Sequence, residues 1–356
     1  MGEILGLGVT HFPPLGWPDE QMDRALQFAL ADPGIPDSAK QTDEWPELMQ
    51  KEFLDDRVTA AARHREALVD GLSRVRTALD EFQPDVVVVW GDDQYELFRE
   101  DVVPAFCVIA AEDLTFRPWR SPSGDPIPNV WNEPPDHRAD LRGHAAFGRH
   151  LASSLLSDDF DVAYAYETRP DRPFPHAVAN TILFLDYERR GFPYAVVPVT
   201  VNCYGRLAIG RRGGMARIAP DAATPLLDPP GPTPRRCAQL GAAVARAAIA
   251  SDLRVALIAS SSWSHAFLHD RAWRLYPDLA SDRAYYEALA GGDHRRWHEA
   301  TLESLEASGQ QEMLNWFCLV GAVDEAKLRL EWSTYVETCV FNSNKCFAVF
   351  RASGLA

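Results

Sequence analysis

Residues 84–98 read PDVVVVWGDDQYELF. Four valines and a tryptophan, Val86–Trp90, make an apolar run of strand length between Pro84 and Gly91. An unbroken run of this kind suits a strand covered on both faces, as parallel strands in α/β sheets are. Ligands of open α/β sheets bind beyond the carboxyl ends of such strands. Here that end is Gly91-Asp92-Asp93-Gln94-Tyr95-Glu96.

The pattern repeats on both sides of this run. Ile4–Val9, Ala105–Ala110, Val162–Tyr166, Tyr194–Val201, Val255–Ala259 and Cys346–Phe350 read as further strands, beside Asp85–Trp90. Segments 56–82, 140–157, 235–251 and 295–308 return apolar residues every three or four positions and read as helices. The alternation predicts an α/β fold, a central mixed or parallel sheet flanked by helices. The 356 residues are read as one domain, 1–356. It carries a cap-like insertion at 17–55 and a loop excursion at 205–234, whose Arg206, Arg211, Arg212 and Arg217 read as a solvated loop.

Composition bounds the function. Lys and Arg number 35 against 51 Asp and Glu, a net charge of −16. Phosphate binding needs a basic footprint, so nucleic acid and anionic membranes are not expected partners. No stretch approaches the ~20 apolar residues of a membrane span. The N-terminus lacks the pattern of a signal peptide. None of the six cysteines forms a Cys-x-x-Cys pair, so a cytoplasmic protein with reduced thiols is expected.

Three predicted strands end in groups that hold metals or move protons: Thr10-His11-Phe12-Pro13, the Asp92 turn, and Ser260-Ser261-Ser262-Trp263-Ser264-His265. Asp92 taken alone reads as a turn or cap residue. Ser262 and His265 lack the Gly-x-Ser-x-Gly elbow of a hydrolase. Gly6-Leu7-Gly8 lacks a third glycine at the dinucleotide-binding spacing. His294 and His298 read as an exposed helix face. Glu312 stands beside Met313, Leu314, Trp316 and Phe317. A carboxylate on an apolar helix needs a partner, whereas at a helix start it is simply exposed; spacing does not choose between the two.

Taken in order, Thr-His-x-Pro after a strand, PDVVVVWGDDQYELF, VVPAFCVIA, HAVANTILFL, VVPVTVN, IASSSWSH and GQQEMLNWFCLVGAV resemble the class III (LigB-type) extradiol dioxygenases. Within that superfamily they are similar to the catalytic subunits of protocatechuate 4,5-dioxygenases. The resemblance implies cleavage of a catechol-type ring beside its hydroxyls, with O2 and non-haem Fe(II). It implies His11 and Glu312 as metal ligands, His265 as the acid–base residue and His176 as a further catalytic histidine. Phe12, Asp93, Ser343 and Asn344 fall at substrate-binding positions. It also implies a homo-oligomer, most simply a dimer; a separate small covering subunit is not readable from this chain.

The sequence departs from the pattern at one ligand. The family's second iron histidine follows an Asn-Asp pair, and here the segment is Asp92-Asp93-Gln94. Gln94 could bind through its side-chain oxygen, a harder donor that would shift preference toward Mn(II). Asp93 could approach the metal instead, or the metal could be lost. A non-oxidative metal-dependent lyase or hydrolase, and a metal-free binding homologue, are the competing functions.

Overall fold

The Val86–Trp90 run lies within a strand, β2 (Val86–Asp92), with every residue buried. Its side chains alternate between two hydrophobic cores. Val86, Val88 and Trp90 enter one, Val87 and Val89 the other. The strand therefore lies in the middle of a layered structure. The computed structural model describes residues 2–121, 124–203, 206 and 228–352.

In chain order the elements are β1 (Glu3–Val9), α1 (Arg24–Leu30), α2 (Glu47–Leu54), α3 (Arg57–Phe82), β2, β3 (Phe106–Ile109), β4 (Asp113–Phe116), β5 (Ala139–Arg142), α4 (Ala145–Ser157), β6 (Ala163–Ala165), α5 (His176–Leu185), β7 (Ala195–Val201), α6 (Pro234–Ala250), β8 (Arg254–Ser260), α7 (Leu279–Ala290), α8 (Arg295–Glu299), α9 (Leu302–Ala307), α10 (Leu314–Ala326), β9 (Leu328–Val336) and β10 (Lys345–Ala352). Eight strands form one sheet in the order β6-β3-β7-β2-β8-β1-β10-β9, and β4 pairs with β5 in a separate hairpin. The central four, β7, β2, β8 and β1, run parallel. β10 is antiparallel to β1, and β3 to β7. β8 lies between β1 and β2, with Val9 opposite Ser260 and Trp90 opposite Ala259. The three strands that deliver His11, Asp92 and His265 are thus neighbours with their carboxyl ends level.

Helices cover both faces. α4, α6 and α10 contribute to one core, α3 and α5 to the other. α6 and α10 meet at two glycines: a Cβ at Gly241 would run into the backbone of Cys318, and one at Gly321 into the backbone of Ala238. α3 starts at Asp56, whose carboxylate accepts the Thr59 N–H, and ends at Gln83 in the left-handed conformation, φ 49°.

Several boundaries differ from the sequence reading. The segment 140–157 begins as strand β5, and only Ala145–Ser157 is helical. The segment 295–308 is two helices, because Thr301 and Ser304 form a reciprocal capping box that starts α9 afresh. α5, α7 and α10 complete the covering layers, and β9 forms one edge of the sheet.

Residues 17–55 form short turns and two helices that pack into the second core, with Trp45 and Met49 buried; Trp17 is half-buried. Glu52 on α2 accepts the backbone N–H groups of Cys339 (2.7 Å) and Val340 (3.1 Å). The segment is thereby fastened to the loop before β10. Of the 205–234 excursion, Arg211, Arg212 and Arg217 lie outside the described residues, and Arg206 is exposed. Among the described residues no helix is long and apolar enough to cross a membrane.

Candidate functional site

β1 ends at Val9, and two residues later the His11 ring lies buried against β8. Its Nδ1 is 3.1 Å from the Ser260 carbonyl. A carbonyl only accepts, so Nδ1 carries the hydrogen and Nε2 presents a lone pair. That lone pair faces Asp92 Oδ1 at 3.6 Å and Glu312 Oε2 at 3.5 Å. Burial, with the nearby His176 and His265, holds the His11 pKa well below the ordinary histidine value, so the ring is neutral.

Asp92, expected to be a turn residue, is fully buried at the end of β2. Asn315 on α10 approaches its Oδ1 at 3.5 Å and donates to the Ser260 carbonyl at 3.3 Å. Asp92 Oδ2 is buried with no hydrogen-bond partner. Burial pushes its pKa up to about 6. The carboxylate was missed as a site residue because a strand-end Asp ordinarily caps. The available signal was its place directly after a fully apolar run.

Glu312 occupies the turn that leads into α10 and is 1% exposed. Of the two readings that spacing left open, burial excludes the exposed helix-start glutamate. His265 approaches it from the loop after β8, with Nε2 3.2 Å from Glu312 Oε1. Nδ1 of His265 is 2.8 Å from the Trp263 carbonyl, which fixes the hydrogen there. Burial lowers the His265 pKa to about 3. The neutral ring therefore turns a lone pair, not a charge, toward the carboxylate.

His176 opens α5 and stands edge-on to His11, ring centres 5.1 Å apart. Glu96 lies 3.1 Å from its Nδ1 and accepts its backbone N–H at 3.0 Å. Burial alone would lower the His176 pKa, but the Glu96 carboxylate outweighs it and raises it to about 10. One ligand atom each from His11, Asp92 and His176 lies within 4.8 Å of the others.

The remaining expected residues divide. Gln94 Nε2 is 3.4 Å from Glu312 Oε1, so its amide donates to the ligand-type carboxylate. Asp93 accepts the backbone N–H groups of Glu96, Leu97 and Phe98, and so holds the turn. Burial, with repulsion from Glu96, pushes its pKa up to about 7. Phe12 is buried under Lys345 Nζ, 3.7 Å from its ring centre. Ser343 is buried in a backbone bridge to His265. Asn344 joins the Thr338 N–H to Asp282. Ser262 Oγ contacts Thr10 Oγ1 at 2.8 Å. His294 and His298 both reach Asp324, at 2.6 and 2.9 Å; His298 is exposed, but His294 is more buried than a free helix face.

This donor set fits a divalent cation. The His11 lone pair faces two buried carboxylates, Asp92 Oδ2 has no hydrogen bond, and a lone pair facing anions is drawn to them only through a cation between them. The Ser260 carbonyl on His11 fixes the ring tautomer as the supporting partners of metal ligands do.

Residues 226–349, which include His265 and Glu312, match the family model described as the catalytic LigB subunit of aromatic ring-opening dioxygenase. The chain is 27% identical over 199 residues to gallate dioxygenase from Pseudomonas putida, covering 54% of this chain and 50% of that protein. It is 30% identical over 201 residues to the 2,3-dihydroxyphenylpropionate/2,3-dihydroxicinnamic acid 1,2-dioxygenase of Paraburkholderia phymatum, covering 56% and 49%. The enzyme of that name from Burkholderia vietnamiensis is 30% identical over 203 residues, covering 56% and 50%. The chain spans about half the length of the curated relatives it matches. Over residues 226–349 the chain is thus similar to the catalytic LigB subunits of aromatic ring-opening dioxygenases.

Proposed function

We propose that this chain is a metal-dependent dioxygenase that opens a catechol-type aromatic ring with O2. The observation that carries the reading is the neutral His11 Nε2, just past β1, facing two buried carboxylates, Asp92 at the end of β2 and Glu312 before α10. The matched family and the ring-cleaving relatives support the same chemistry. His11 and Glu312 would hold the metal, with Gln94 at the position of a third ligand. Fe(II) is the expected ion and Mn(II) the harder alternative. When bound, such an ion lowers the pKa of a coordinated hydroxyl and brings diol and oxygen together.

The chain's own residues supply the rest. His265, neutral and fixed through Nδ1, has Nε2 open to accept a proton from a substrate hydroxyl and return it as the ring opens. His176 is held cationic by Glu96 and can donate to an anionic oxygen. Phe12 and Ser343 would line the ring position. The segment 17–55 would cover the pocket: Leu26, Phe28, Ala29 and Ile35 line a cleft whose other wall includes Ala266 and Phe267, next to His265. The six cysteines are free and buried, in keeping with a cytoplasmic protein. Tyr164 and Tyr166, exposed at edge strand β6, favour a homodimer.

Elemental analysis of the purified protein, followed by O2 uptake with a catechol panel, tests this reading. Iron or manganese with O2 consumption is the expected result. Zinc without O2 uptake would favour a non-oxidative enzyme, and no bound metal a binding homologue.

A further inference from the structure

We infer that Asp92, and not Gln94, supplies the third protein ligand, so that the metal is held by one imidazole and two carboxylates: His11, Asp92 and Glu312. The inference rests on the metal-dependent reading above and concerns only its ligand set.

Four observations lead to it. The hydrogen on His11 Nδ1 is committed to Ser260, so Nε2 is a pure acceptor. Asp92 Oδ1 and Glu312 Oε2 lie almost equally far from that acceptor, 3.6 and 3.5 Å. These are too long, and wrongly matched, for hydrogen bonds, and each is compatible with a cation between Nε2 and that oxygen. Asp92 itself is 0% exposed, and its Oδ2 has no hydrogen-bond partner. A carboxylate so desolvated stays ionised only where something positive compensates it. His176, whose ligand atom lies within 4.8 Å of that of Asp92, is engaged by Glu96. Finally, Gln94 turns its amide N–H toward Glu312 Oε1. Its place is beside a ligand, where it orients that carboxylate.

The sequence agrees with this exchange. The turn that lacks an imidazole at 94 carries a second carboxylate at 92. Replacing a neutral donor by a carboxylate makes the ligand set more anionic and oxygen-rich. It should therefore favour hard ions, Mn(II) over Zn(II), more than a two-histidine site does.

The test is Mn(II) binding to the metal-stripped full chain by isothermal titration, with the Asp92→Asn and Gln94→Ala variants. Asp92→Asn should weaken binding at least ~10–100-fold, as loss of a supporting partner already can. Gln94→Ala should stay within about tenfold of wild type, the lower end of that range. Near-wild-type affinity in Asp92→Asn, or an equal loss in both variants, overturns the assignment while leaving the metal-dependent reading intact. No Mn(II) or Fe(II) binding by the wild type overturns both. A second measurement needs no variant. Infrared difference spectra of wild-type protein carrying 13C-carboxyl aspartate should show an aspartate carboxylate band shifting on Mn(II) addition. A shift confined to unlabelled glutamate bands excludes Asp92.

Discussion

The Glu96 carboxylate holds His176 twice, through Nδ1 at 3.1 Å and through the backbone N–H at 3.0 Å. Glu96 lies on the turn after β2 and His176 at the first position of α5. The pair therefore ties the end of a central strand to a covering helix and leaves Nε2 of the ring as its remaining polar group. In the metal-free protein the His176 pKa stands near 10, and Glu96→Gln should lower it by roughly 1–3 units, the usual effect of removing an opposite charge at this range. NMR titration of the ring checks it. The sign for stability follows. A histidine raised in the folded state stabilises fully below its unfolded value near 6.5 and loses that contribution as pH rises to about 10. In Glu96→Gln this alkaline loss should shrink; an unchanged titration would mean that the carboxylate does not set the charge.

Removing the His265 imidazole should separate binding from chemistry. His265→Ala should retain metal, read by elemental analysis, while turnover falls ~10²–10⁴-fold, the usual range for a lost acid–base group. Loss of metal with unchanged turnover would reverse the role assigned to it.

Glu52 offers a local test of the covering segment. Glu52→Ala leaves the Cys339 and Val340 N–H groups without their acceptor and should destabilise the protein by ~1–3 kcal/mol. Because that loop leads to Ser343, KM should rise more than kcat falls. Unchanged kinetics would count against the cap.

His64 sits between Phe341, stacked at 4.9 Å, and Phe12, edge-on at 6.2 Å. Burial, then the charges of Lys345 and Arg65, hold its pKa well below 6.5. The unfolded chain binds a proton below that value and the folded chain does not, so His64 makes stability fall as pH drops below 6.5. His64→Phe should remove up to one proton from that slope, about 1.4 kcal/mol per pH unit. Denaturant melts of the metal-free protein at pH 5 and 7 measure it.

The sheet was legible because β2 and β8 are unbroken apolar runs of strand length, as strands buried on both faces carry. α5 was quoted only as a motif because HAVANTILFL is apolar on nearly every side and shows no helical period. β9 was missed because an edge strand with a half-exposed pattern gives weak alternation. His11 and His265 stood out as residues that follow strands, whereas spacing left Glu312 open and only the resemblance named it a ligand. Asp92 did not stand out, since its meaning depends on β8 running between β1 and β2. Strand order of that kind is a long-range fact absent from local spacing.

The most direct test of the account is isotopic. On the catechol that supports turnover, metal-loaded wild-type protein under 18O2 should place both labelled atoms in the ring-opened product, read by mass spectrometry. Turnover without label in the product, or no O2-dependent product from any catechol in a broad panel, would contradict the assignment as a ring-opening dioxygenase.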